Sequence, residues 1–132
     1  MDRNLIIDIK NGFALNKKII EHKKPNTSTK QNILNLFLEI GIITGFRVIE
    51  SNSINQENLE ITLKYDSYGN KVFRELKIAS QKNRNYSVSQ VKKLLIKNKF
   101  NQYIFSTDLG LLTGTQAIDK NVGGKLLYIL NY

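Results

Sequence analysis

Ser28 with Gln31, Ser87 with Gln90, and Thr113 with Gln116 each set a Ser or Thr three residues before a glutamine and ahead of an apolar run. At that spacing the hydroxyl can accept from the glutamine's backbone N–H while the glutamine side chain reaches back. Each pair therefore marks a place where a helix can start. Around these starts the apolar residues change period. Leu59, Ile61, Leu63 and Tyr65 alternate with Glu60, Thr62 and Lys64, the pattern of a half-buried strand. A chain whose period switches this often reads as α+β.

Taken in order, Asp2 can cap a first helix with Leu5, Ile6, Ile9 and Phe13 on one side. Lys10 and Asn11 fall on the other side, close to a break or kink expected at Gly12. They are either a solvated helix face or a contact to RNA. Lys17 to Lys24 reads as a short edge strand leading to Pro25. Behind Ser28 the stripe Ile33, Leu36, Phe37, Ile40 makes an amphipathic helix, ended by Gly41 at C′. Phe46 to Ile49 is a short strand, Ser51 to Asn58 a polar hairpin loop, and 59–65 the alternating strand. This first unit is helix-strand-helix-strand-strand. The turn-forming run Asp66–Asn70 suggests two small abutting domains, an N-terminal α+β domain over 1–66 and a second over 70–132.

The second unit is expected to be mostly β with short helices. Val72, Leu76 and Ile78 alternate through a strand. The polar loop from Ser80 to Tyr86 then combines Lys82 and Arg84 with an aromatic ring. Arg can grip phosphate with two hydrogen bonds and Tyr can stack on a base or ribose; the same residues would equally make a plain exposed basic loop. The helix after Ser87 turns Val91, Leu94 and Leu95 inward, with Lys92, Lys93, Lys97 and Lys99 on its outside and following turn. The stretch from Phe105 to Leu127 follows. Its parts are strand residues Tyr103–Phe105, the tripeptide Ser106-Thr107-Asp108, a turn at Gly110, Leu111-Leu112, a short helix after Thr113, and Gly123-Gly124 before a last strand, Lys125–Leu130. Small hydroxyl side chains beside glycines let another molecule's backbone come close and offer it hydrogen bonds. Alone, they also describe an ordinary tight turn.

Charge narrows the partners. The chain carries a formal net +9 with a pI near 9.8, which favours a polyanion, either nucleic acid or an acidic membrane surface. The excess is lopsided: residues 1–65 hold nine Lys/Arg against seven Asp/Glu, whereas residues 66–132 hold eleven against four. No apolar run approaches the ~18 residues of a membrane span, and the basic residues do not line one face of an amphipathic helix. With Asp2 and Asp8 flanking its apolar residues the N-terminus resembles no signal peptide, so the protein is expected to work where it is made. Cysteine is absent, and the single histidine, His22, is expected at the surface. Asp66, Glu75, Asp108 and Asp119 are scattered, and there is no Gly-rich phosphate loop of the nucleotide-binding type. The expectation is therefore no enzyme, no metal, no cofactor, no membrane and no small-molecule substrate.

The C-terminal stretch resembles the signature of the bacterial-type small-subunit ribosomal protein eight family. That family has Ser-Thr-Ser, a spaced Gly, two apolar residues and Thr, then a helix containing Ala, then Gly-Gly. Here these read Ser106-Thr107-Asp108, Gly110, Leu111-Leu112-Thr113, Ala117 and Gly123-Gly124. Similar residues recur upstream at 9–12, 25–30, 41–46 and 59–65, so nearly the whole chain is covered. Ser80, Arg84 and Tyr86 match a further family stretch, although Lys82 and Asn83 replace its Pro-Gly.

The resemblance implies direct binding to the central domain of small-subunit rRNA and a role in its assembly beside neighbouring small-subunit ribosomal proteins. The residues it points to are Ser106, Thr107, Asp108, Gly110, Lys82, Arg84, Tyr86, Gly123, Gly124, Lys125, Lys10 and Asn11. Two depart from the pattern: Asp108 stands for a serine and Lys125 for an acid, an exchange expected to be compensating. The alternatives are a general single-stranded nucleic-acid binder or translational regulator, and a structural protein held mainly by protein neighbours. Heavy use of Asn, Ile and Lys suggests an A/T-rich genome. Organellar and bacterial genomes both fit that composition; a mitochondrial, organelle-encoded ribosome is the expectation, with a bacterial cytoplasm as the alternative.

Overall fold

A computed structural model describes residues 3–22, 28–50, 57–79 and 85–131. The chain divides into two compact units, Met1–Val72 and Phe73–Tyr132. The first comprises α1 (Arg3–Ala14), β1 (Ile19–His22), α2 (Ser28–Ile40), β2 (Ile43–Glu50) and β3 (Glu57–Leu63), the expected helix-strand-helix-strand-strand order. Its antiparallel sheet runs β1-β3-β2, with β1 at an edge as anticipated. Leu5, Ile6, Ile9 and Phe13 of α1, Ile33, Leu34 and Phe37 of α2, and Leu59, Ile61 and Leu63 of β3 are buried. Each contributes about 1.5–3 kcal/mol on leaving water. The expected cap Asp2 and the 51–56 part of the hairpin loop lie outside the described residues.

Two expectations for this unit need correcting. The first helix does not break at Gly12 but runs on to Ala14. A methyl at Gly12 would lie 2.6 Å from Ile20 Cγ2 and 2.9 Å from Leu63 Cδ1, so its missing side chain is what lets α1 sit on the sheet. His22 is not at the surface. The alternation of β1 turns Ile20 and His22 inward, and the imidazole is completely buried with Nδ1 2.6 Å from Asp8 Oδ2. This hydrogen bond helps tie β1 to α1.

The second unit comprises β4 (Glu75–Ile78), β5 (Asn85–Tyr86), α3 (Val88–Lys97), β6 (Asn101–Thr107), β7 (Gly110–Thr113), α4 (Gly114–Asp119) and β8 (Gly124–Asn131). Its sheet runs β4-β8-β6-β7, with β5 also paired to β8. The fold is thus α+β, with a mostly β C-terminal part. Both expected capping boxes form. Ser87 Oγ accepts from Gln90 N at 3.4 Å while Gln90 Oε1 accepts from Ser87 N at 2.9 Å. Around Thr113 and Gln116 the corresponding distances are 3.3 and 3.1 Å. Such a cap is worth about 1 kcal/mol. At the first pair, α2 begins with Ser28. Val91 of α3 is buried against Tyr103, Phe105 and Leu126, with Leu94 and Leu95 packed on them. Val72 falls short of its strand, which starts only at Glu75. Asn85 and Tyr86, expected in a loop, pair instead with Lys125 and Gly124.

Candidate nucleic-acid interface

The hydroxyl tripeptide is the end of a hairpin. β6 and β7 pair through Thr107↔Gly110, leaving Asp108 and Leu109 as the turn. Gly110 closes it at φ +107, a region that favours glycine. Thr107 holds the turn from within: its Oγ1 donates to the Gly110 carbonyl at 2.7 Å and accepts from Leu109 N at 3.1 Å. The hydroxyl expected to face a ligand is therefore largely committed to the protein. Ser106 is different. It is exposed, and its hydroxyl has no partner among the described residues.

On the other side of β6, Ser106 stands directly opposite Lys125 of β8. The Gly123-Gly124 pair makes this neighbourhood possible. A methyl on Gly124 would fall onto the Ser106 carbonyl oxygen and lie 2.9 Å from Thr107 Cγ2. A methyl on Gly123 would fall onto the Tyr86 carbonyl oxygen and lie 3.1 Å from Ser87 Cα. The space these glycines leave is taken by the protein's own backbone, which draws β5, the start of α3 and the hairpin to one point.

The result is an open depression of about 570 Å3 lined by Asn85, Tyr86, Ser87, Gln90, Ser106, Thr107, Asp108, Gly123, Gly124 and Lys125. Tyr86 is half-buried and meets Phe105 edge-on, with ring centroids 5.8 Å apart at 69°. Its ring is thus fixed by the core. Asp108 and Lys125 are both exposed and share the depression, yet no ion pair joins them. Any compensation between them would act through the local field and not through a contact. Ser87, Gln90 and Asn85 also line the site. Their sequence signal was structural only, a capping box and a loop.

The remaining candidates are placed as follows. Gly110 closes the hairpin. Lys10 and Asn11 are exposed on α1, in the N-terminal unit. Lys82 and Arg84, with Ser80, lie outside the described residues. Among the described residues no group of three or more His, Cys, Asp or Glu could hold a metal ion, and no helix is long and apolar enough to cross a membrane. What the depression offers is a free hydroxyl, an ammonium, a carboxylate and a fixed aromatic, the means for short-range contacts to a polar, anionic partner.

Comparison with known proteins agrees across almost the full length. The family described as Ribosomal protein S8 matches residues 3–130. A small ribosomal subunit protein uS8 of Nitrobacter hamburgensis is 32% identical over 125 residues, covering 95% of this chain and 92% of the relative. Those of Aliarcobacter butzleri and Chlorobaculum parvum are 32% identical over 104 residues and 30% over 105. They cover 77% and 79% of this chain, and 76% and 77% of the relatives.

Proposed function

Since the chain belongs to the ribosomal protein S8 family and is a structural component of the small ribosomal subunit, we propose that it binds small-subunit rRNA directly through the depression around Ser106. By that contact it would help fold the central domain of the rRNA, in company with neighbouring ribosomal proteins and without catalysing a reaction. The observation that carries the reading is the Ser106–Lys125 pair. A free hydroxyl and a free ammonium stand side by side on a strand junction that two glycines allow to close tightly, in the unit that holds most of the excess positive charge.

The physics of RNA fits this arrangement. The deep, narrow major groove of an A-form helix does not admit side chains, so recognition falls on irregular loops and on the shallow groove with its 2′-hydroxyls. Ser106 can donate to or accept from a base or ribose, Lys125 can meet a phosphate, and Asp108 can accept from base or ribose donors. Phosphate contacts set affinity and its salt dependence, whereas short polar contacts set the choice of site. Lys82 and Arg84 are proposed to add phosphate contacts, and Lys10 and Asn11 a further contact from the other unit.

The compartment follows the relatives. Those named are bacterial, and the mitochondrial expectation finds no support among them; a bacterial-type ribosome is the reading adopted. The test is binding of the purified chain to a central-domain rRNA hairpin carrying an irregular internal loop, beside a loop-scrambled control, across a salt series. Preference for the native loop, weakened by Ser106→Ala with little change in salt slope, is expected. Equal binding governed by salt alone would favour a general nucleic-acid binder, and no binding would favour placement by protein neighbours.

A further inference from the structure

A second depression lies in the same unit, at the opposite end of the same two strands. The register of β6 and β8 runs from Ser106↔Lys125 to Asn101↔Asn131, five residues and therefore about 17 Å away. There a hollow of about 740 Å3 is lined by Arg74, Lys97, Lys99, Phe100 and Asn101, among others. Two features of it are unexplained by the fold. Phe100 is 78% exposed and Ile96 74%, although both are large and apolar. Among the described residues the lining also carries three cations and no carboxylate.

Helix α3 joins the two hollows. Gln90, near its start, lines the first, and Lys97, at its end, lines the second. Lys93 lies between them at the i+3 and i+4 spacings that keep residues on one face, and all three are exposed. Ten residues of helix extend about 15 Å, which matches the strand path beside it. The helix is fixed at its start by the Ser87 capping box and at its end by Asn98 N donating to Leu94 O at 3.1 Å.

We infer that the RNA surface continues from the Ser106 depression along the Gln90–Lys93–Lys97 face to the second hollow, where an unpaired base stacks on Phe100 and phosphates meet Lys97, Lys99 and Arg74. The inference rests on the RNA-binding reading of this unit. An exposed aromatic ring ringed by cations matches an unpaired nucleotide, since every base has a face to stack and every linkage a charge to neutralise. The absence of any carboxylate in the lining fits the same occupant.

The test uses the full chain and three probes, an unpaired octa-adenylate, the loop-bearing hairpin and a Leu-containing polyglutamate peptide. Phe100→Ala should weaken octa-adenylate binding about tenfold, and Lys97→Ala/Lys99→Ala should reduce its salt slope by about one to two. Ser106→Ala is read on the hairpin, where it should weaken binding. Because Phe100 is so exposed, its loss should not change the thermal melt, which serves as the folding control. Octa-adenylate bound equally by the parent chain and Phe100→Ala, or not bound by the parent, would overturn the inference. So would capture of a Leu-containing polyglutamate peptide in its place, which would assign the hollow to an acidic protein segment. Hairpin binding is read separately, so failure of the Ser106 site and failure of the Phe100 site give different results.

Discussion

The two units spend their polar groups differently. In the N-terminal unit they bind one another. His22 is buried on Asp8, Asn58 Nδ2 donates to Glu21 Oε1 at 3.1 Å, and Arg47 makes two parallel bonds to Glu60 at 3.0 and 3.1 Å. The hydrogen bonds and then the charge of Glu60 raise the Arg47 pKa further above neutrality. Tyr65 Oη donates to the Lys17 carbonyl and its ring meets Phe13 edge-on at 5.5 Å. In the C-terminal unit, Ser106, Asp108, Lys92, Lys93, Lys97 and Lys125 have no ion pair or side-chain hydrogen bond among the described residues. The charge divides the same way: ten Lys/Arg against eight Asp/Glu over 1–72, and ten against three over 73–132. The N-terminal unit spends these side chains on its own packing, although His22 Nε2 and Asn58 Oδ1 stay buried without a hydrogen-bond partner among the described residues, and the C-terminal unit leaves the named ones open to a partner.

Substitutions can break that comparison, beginning with the largest effect. Gly124→Ala should destabilise the C-terminal unit by about 3 kcal/mol, the upper end of overpacking costs, because the added methyl meets the Ser106 backbone and no rotamer relieves it. Denaturant unfolding would read this, and RNA binding should fall with it. His22→Ala should cost about 2 kcal/mol through the lost buried side chain and its bond to Asp8, yet leave hairpin affinity unchanged under conditions where the chain stays folded. A matching drop in affinity would mean that the first unit is not merely structural.

Smaller changes sharpen the division within the site itself. Thr107→Val should cost about 1 kcal/mol of stability, since it removes both bonds that close the hairpin turn. Ser106→Ala should leave the melting curve in place and weaken hairpin binding about fivefold, roughly 1 kcal/mol for one short contact. Equal effects of the two on affinity, with neither changing stability, would erase the distinction between a structural and a ligand-facing hydroxyl. Least of all, Lys125→Ala should reduce the salt slope of binding by about 0.7–0.9, one phosphate's worth of counterion release.

What could be read from the sequence was what is local. The boxes at Ser87 and Thr113 are settled within four residues, and the alternation of Leu59, Ile61 and Leu63 reports burial directly. The Ser106 hairpin and its glycines were identified, but their division of labour was not. That Thr107 closes the turn depends on the backbone path to Gly110, and what Gly123 and Gly124 approach is set by pairing across β5, β6 and β8. Asn85 and Tyr86 have no strand pattern of their own and become one only beside β8. His22 faces inward with the alternation of β1, but its partner Asp8 comes from another element, fourteen residues away, and that pairing no local pattern encodes.

The most direct measurement is a set of backbone amide NMR spectra of the full chain recorded with and without the loop-bearing hairpin. The account predicts shifts concentrated at Tyr86, Ser106 to Asp108, and Gly123 to Lys125, with Asp8, Glu21 and Glu60 unmoved. Shifts centred on the N-terminal unit, or scattered over the surface lysines without the Ser106 hairpin, would contradict it.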